Sequence, residues 1–288
     1  MPTDRRFMQV DVFAEHALLG NPLAVVLDAQ GLSDTRMQTF ARWTNLSETT
    51  FLLPPTVPGA DYRVRISTPG GELPFAGHPT LGSCHAWLAA GGEPASPQAV
   101  VQQCAAGLIR IRREGDDLAF EAPALRTREP SPDERLAAAT ALGISPTDIL
   151  DAQWLDNGPS WLALRLADAA AVLAIEPDHQ AVRALGKLGV VGPWAPGSHE
   201  AQFEVRAFAA PVGVDEDPVT GSLNASLAHW LMQSGVAPEH YLASQGTRLG
   251  REGRVRIRRD AGVIWVGGRV TACITGTLRL DGAPEVRR

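Results

Sequence analysis

Glu48, His78 and Asp217 are the side chains whose types and surroundings admit proton chemistry. Glu48 stands where a loop enters a strand, between Ser47 and Thr49-Thr50. An exposed loop glutamate is the ordinary case. A partly desolvated one is a proton carrier for carbon acids, because burial lifts a carboxyl towards neutrality. His78 lies in Phe75-Ala76-Gly77-His78-Pro79-Thr80-Leu81-Gly82-Ser83. It either orders a turn or donates a proton beside a bound anion, since imidazole titrates near neutral pH. Asp217 heads Asp217-Pro218-Val219-Thr220-Gly221-Ser222 and reads as a carboxylate at a helix start, where the dipole favours it. A histidine facing an aspartate across a pocket would be a pair with separated pKa values. Thr220, Gly221 and Ser222 are either capping residues or donors to a substrate carboxylate. Glu216 is a second carboxylate or a solvated one.

These residues need elements to aim them. The stretch Phe75 to Ser83 reads as a loop opening onto a helix that starts near Cys84 and is stopped by Gly91-Gly92. A helix start offers free N–H groups and a partial positive charge, so it attracts anions. The motif recurs: His78-Pro79-Thr80-Leu81-Gly82-Ser83 aligns with Asp217-Pro218-Val219-Thr220-Gly221-Ser222, 139 positions on. Gly107 to Arg113 also matches Gly253 to Arg259, 146 positions on. The chain therefore reads as two similar halves packed about a pseudo-dyad that aims two helix starts at one cleft.

Alternation predicts strands at Met8–Phe13, Leu23–Leu27, Glu48–Leu53, Tyr62–Ile66 and in a meander from Val100 to Glu121. Ser33 predicts a helix cap. A proline-rich stretch near residue 125 marks the boundary between a domain 1–125 and a domain 126–288, with the last strand returning to the first domain. Ser131-Pro132-Asp133-Glu134 is a capping box that starts the second half. Each half is many strands plus one helix that is apolar all round and hence buried. The expected fold class is α+β, with a barrel-like, mostly antiparallel sheet wrapped round a central helix in each half.

Composition narrows the function. The chain is long enough for two domains, 44% hydrophobic and 20% charged, with a net charge of −6. That balance argues against nucleic acid as a partner. Arg110, Arg112, Arg113, Arg254, Arg256, Arg258 and Arg259 alternate with Ile and Val, as on the outer faces of strands. Cys84, Cys104 and Cys273 have no disulfide or zinc pattern and read as buried thiols. No run of about 18 apolar residues and no signal peptide is present, so no membrane partner and a cytoplasmic location are expected. Dinucleotide, Walker, metalloprotease and serine-elbow motifs are missing. No metal and no cofactor are expected, which leaves general acid–base work on a small molecule.

Longer motifs sharpen this. Gly20-Asn21-Pro22-Leu23-Ala24-Val25-Val26, Asn45-Leu46-Ser47-Glu48-Thr49, Glu72 to Gly82 and Glu216 to Ser222 together resemble the PhzF-like isomerase family of phenazine biosynthesis. The resemblance covers nearly the whole chain in order. It implies the diaminopimelate-epimerase-like fold, a biosynthetic role and a homodimer. It implies Glu48 as the acid/base that moves a proton between carbons, His78 and Asp217 as its catalytic companions, and Ser222 as a supporting residue. Gly77 and Gly221 would offer backbone N–H groups to a small, cyclic carboxylic acid of the trans-2,3-dihydro-3-hydroxyanthranilate type. Epimerases of this fold carry a cysteine at each helix start; the matching positions here read as Ala76 and Pro218. The alternatives are a racemase or epimerase of amino-acid-like acids, and a non-catalytic binder of small anions or of protein.

Overall fold

The computed structural model describes residues 3–280. Alternation opens the chain as β1 (Thr3–Val12), where Met8, Val10 and Val12 are buried. The first half continues through β2 (Asn21–Val26), α1 (Asp34–Thr44), β3 (Thr49–Leu53), β4 (Tyr62–Ser67), β5 (Glu72–Leu73), α2 (Gly77–Ala89), β6 (Ala99–Cys104), β7 (Gly107–Glu114) and β8 (Asp117–Glu121). The second half holds β9 (Arg126–Arg128), α3 (Pro132–Leu142), β10 (Asp151–Asp156), β11 (Ser160–Arg165), α4 (Ala169–Ala174), α5 (His179–Leu185), β12 (Leu188–Pro193) and β13 (Phe203–Ala209). It ends with β14 (Val214–Asp217), α6 (Gly221–Gln233), β15 (His240–Gln245), β16 (Gly253–Asp260) and β17 (Val263–Leu280). Local signals place the ends: Ser33 caps α1, and Ser131 with Glu134 forms the capping box of α3.

The halves repeat one topology. β2 and β3 are parallel across α1, as β11 and β12 are across α4 and α5. β4 and β6 are parallel across α2, as β13 and β15 are across α6. The other pairings are antiparallel. In the first half, β1, β2, β3, β4, β6, β7 and β8 form a ring that β17 closes, pairing with β8 through Trp265–Arg269 and with β1 through Val270–Leu280. In the second, β17 also borders β16, and β9, which follows β8 in sequence, adds to β10. The second half thus lends its last strand, β17, to the first. The chain adopts the expected α+β architecture, with α2 and α6 against the inner face of one continuous seventeen-stranded sheet and one core around both. Smaller cores lie outside the sheet under α1 and under α3, α4 and α5.

Three expectations are corrected. Phe75 to Ser83 is not a loop: α2 begins at Gly77, so His78 and Pro79 lie in its first turn. Proline is tolerated there because that N–H has no intrahelical partner. Gly82 sits inside the helix because a Cβ there would be 2.6 Å from Leu23 Cδ2 and 3.0 Å from Val10 Cγ2. Next, the repeat has a different register. α2 and α6 both have thirteen residues and start at 77 and 221, an offset of 144 instead of 139. Hence Gly77 matches Gly221, His78 matches Ser222, and Ala76 matches Thr220 instead of Pro218. Asp217 ends a strand and does not start a helix. Lastly, Cys273 is half-buried, although Cys84 and Cys104 are buried.

Candidate active site

Glu48 is carried by the join between α1 and β3. α1 ends on Asn45 in the left-handed conformation (φ 53°), which turns the chain towards β3. Thr44 and Thr49 clamp that turn with their hydroxyls 2.9 Å apart. Two residues past Glu48, Thr50 accepts a hydrogen bond from Ser83 of α2 at 2.9 Å. This tie fixes the glutamate against the helix that carries His78. Nε2 of His78 lies 3.2 Å from Oε2 of Glu48, without the alignment of a hydrogen bond, and neither atom has another hydrogen-bond partner. The Glu48 side chain is 15% exposed and that of His78 6%.

Burial drives both groups neutral. It pushes the Glu48 carboxyl up to about 8, helped by the Asp217 charge and opposed by that of Lys187. Burial alone pushes His78 down to about 3. Asp217 rises to about 6, again mainly by burial. Its hydrogen bonds from Thr220 and Asn21 oppose the rise, as does Lys187. Burial outweighs the two carboxylates and holds the Lys187 ammonium below its usual range.

The Asp217 carboxylate is held from both halves. Thr220 Oγ1 donates to Oδ2 at 2.5 Å and Asn21 Nδ2 to Oδ1 at 3.0 Å. Asn21 also donates to Val219 O at 2.8 Å. Gln245 completes the frame: its Nε2 donates to Asp217 O at 3.0 Å and to Thr220 Oγ1 at 2.9 Å, and its Oε1 accepts from Thr220 N at 3.0 Å. Thr220 therefore spends its proton on Asp217 and makes no side-chain cap to α6. Ser222, in the first turn, receives Trp161 Nε1 at 3.3 Å and keeps its own proton free. Asn157 donates to Ser222 O at 2.9 Å.

The helix starts meet at their glycines. A Cβ on Gly77 would be 3.1 Å from Gly221 Cα and 2.8 Å from the Phe120 ring. Neither start has a side-chain cap, so first-turn N–H groups of both helices face one region. The structure thus joins Glu48 to His78, Asp217 to Thr220, and Gly77 to Gly221. Electrostatic action links Glu48 to Asp217. Glu216 is neither solvated nor in this group: it forms a two-pronged pair with buried Arg206 at 2.9 and 2.8 Å.

Sequence reasoning missed Asn21, Gln245 and Lys187. Asn21 was visible as part of Gly20-Asn21-Pro22 but read as a turn residue; it begins β2. Gln245, at the end of β15, carried no local signal. A cleft of about 350 Å³ lies at the other end of α2, between Trp87, Gly91, Asp28 and Arg6. It is about 18 Å along the helix from His78. Its charged groups, Arg6 and Asp28, already pair with each other at 2.8 Å. We place the candidate site where unpartnered acid–base atoms are buried, not in that cleft. Among the described residues no cluster of His, Cys, Asp and Glu could hold a metal ion, and no helix is long and apolar enough to cross a membrane.

Comparison with known proteins gives concordant matches. The sequence model of the PhzC-PhzF family, phenazine biosynthesis-like protein, matches residues 10–276. Trans-2,3-dihydro-3-hydroxyanthranilate isomerase of Pseudomonas aeruginosa is 35% identical over 93% of this chain and 93% of its own length. A protein of Schizosaccharomyces pombe called antisense-enhancing sequence 1 is 36% identical over 95% of this chain and 98% of its own. The crystal structure of a Bacillus anthracis PhzF-family protein superposes with a TM-score of 0.83 at 20% identity, covering 96% of this chain and 99% of that one.

Proposed function

The chain belongs to the PhzC-PhzF family and is an isomerase, and from that premise we propose that Glu48 is the base that moves a proton between two carbons of a small cyclic carboxylic acid. The observation that carries the reading is the Glu48 carboxyl, 15% exposed and 3.2 Å from His78 Nε2, with its pKa brought to about 8 by burial. A carboxyl in that range takes a proton from carbon and still returns it at neutral pH. In this reading one face of the substrate ring lies over Glu48, which removes the proton at one carbon and delivers it at another. His78, neutral and within reach of Glu48, steadies the carboxyl between the two transfers. Asp217, held by Thr220 and Asn21, accepts a hydrogen bond from the substrate. The uncapped first turns of α2 and α6 stabilise the charge that builds on the delocalised intermediate.

Two-thiol racemisation finds no support, because Ala76 and Thr220 stand before the helices where that chemistry needs cysteines. The substrate of the Pseudomonas relative is the first compound to try. With trans-2,3-dihydro-3-hydroxyanthranilate in deuterated buffer, NMR is expected to show double-bond migration with deuterium entering one carbon. Glu48→Gln, which keeps the shape, is expected to lose about 100- to 10,000-fold in rate. Full turnover by Glu48→Gln would remove Glu48 from the role. Exchange at a stereocentre without double-bond migration would select the epimerase alternative.

A further inference from the structure

The chain contains 25 arginines and one lysine, Lys187. Many arginines are paired with carboxylates at the surface, as Arg6 is with Asp28 and Arg256 with Asp117. Lys187 differs in place as well as in kind. It directly precedes β12, and its carbonyl accepts Leu162 N at 2.9 Å, which fixes its backbone against β11. Its side chain is half-buried, with Nζ 5.4 Å from the centroid of the Trp161 ring. That ring is 3% exposed and hydrogen-bonds Ser222 in the first turn of α6. Lys187 thus stands beside the helix start that Gly221 and Ser222 open. Its charge acts on both Glu48 and Asp217. Yet among the described residues no carboxylate oxygen lies within 4 Å of Nζ and none of its donors meets a protein acceptor.

An ammonium has three donors, and on this half-buried one no protein acceptor engages them, so they stay available to a ligand. The Trp161 face covers one side of it. The group that suits the remaining donors is an acceptor carrying negative charge. The side chain type fits the task, because lysine is a compact charge on a flexible stem that can follow a ligand, whereas arginine is a rigid fork. We propose that Lys187 is a substrate-binding residue whose ammonium meets the acid group of the substrate beside the start of α6. This rests on the reading of the cleft as the place where a small carboxylic acid is turned over.

A lone lysine makes the test direct. Reductive methylation of the full chain with carbon-13 formaldehyde marks Lys187 and the terminal amine while keeping the charge. The Lys187 resonance is assigned by its absence in Lys187→Arg. It is expected to shift when anthranilate is added and to stay still with aniline, the same ring without its acid group. In turnover assays Lys187→Met is expected to raise KM about tenfold with a smaller change in kcat, and Lys187→Arg to recover part of the loss. A resonance that ignores anthranilate up to its solubility, or that moves equally with aniline, overturns the proposal. The two readings fail separately. A moving resonance with a fully active Glu48→Gln overturns the base assignment alone, whereas a silent resonance with an inactive Glu48→Gln overturns the lysine contact alone.

Discussion

At the scale of residues, the candidate site holds Glu48, His78 and Asp217 under unfavourable burial. Glu48 has an ordinary carboxyl pKa of 4.5 when unfolded and about 8 in the fold. Between those values the folded chain holds a proton that the unfolded chain has lost, so this group makes stability fall as pH rises through the window. Glutamine has no such proton to lose. Glu48→Gln is therefore expected to match the native chain in stability near pH 4.5 and to exceed it by about 4–5 kcal/mol at pH 8 and above. Urea denaturation at several pH values reads the difference. A constant difference across the window would mean that burial does not hold the carboxyl neutral. The same shift argues for activity that rises towards pH 8 as the base ionises, with Asp217 coupled to it. A variant that is more stable and inactive is the signature of a site strained for function.

At the scale of elements, the two buried helices are brought start to start at a contact only glycine allows. A Cβ on Gly221 would be 3.1 Å from Gly77 Cα and 3.3 Å from His78 N, both backbone atoms of α2. Backbone inside a closed sheet cannot yield as a flexible side chain does. Gly221→Ala is expected to push the helix starts apart by a few tenths of an ångström and to cost about 1–3 kcal/mol of stability. Turnover should fall further than stability, since His78 and Ser222 ride on the displaced turns. Thermal melting and turnover measured side by side check this. Wild-type turnover in Gly221→Ala would show that the spacing of the two helix starts does not matter to the reaction.

At the scale of the molecule, the halves are bound by a strand that the second lends to the first. β17 fills the gap between β1 and β8 while still pairing with β16 of its own half. Ion pairs cross the same seam: Arg256 with Asp117, Arg258 with Glu114 and Arg112 with Asp260. Such half-exposed pairs add little each, so the shared strand β17 carries the seam. A fragment 1–125 lacks β17 and leaves both β1 and β8 as open edges. It is expected to show no cooperative unfolding alone, and to co-purify in folded form when co-expressed with 126–288. A fragment 1–125 that folds cooperatively by itself would count against the lent strand β17 as the basis of the assembly.

Sequence alone determined what is local. Alternation, the caps at Ser33 and Ser131 and the stop at Gly91 act through neighbours a few residues away, so most first-half strands, the capped helices and the α+β class were legible, whereas β10, β12, β15 and α4 were not read. The linear motifs around Glu48, His78 and Asp217 were legible too, and with them the family. The register of the repeat was not, because similar letters in HPTLGS and DPVTGS serve a first helical turn in one half and a strand end in the other. Lys187 was visible as the sole lysine, but nothing near it in sequence tied it to Glu48 or Asp217. Tertiary structure alone decided that Asn21 would reach Asp217 across 196 positions and that Glu48 would stop against His78. Those contacts exist because one continuous sheet wraps two helices and closes into a ring around the first, and such closure is a property of the whole chain that no window of neighbouring residues encodes.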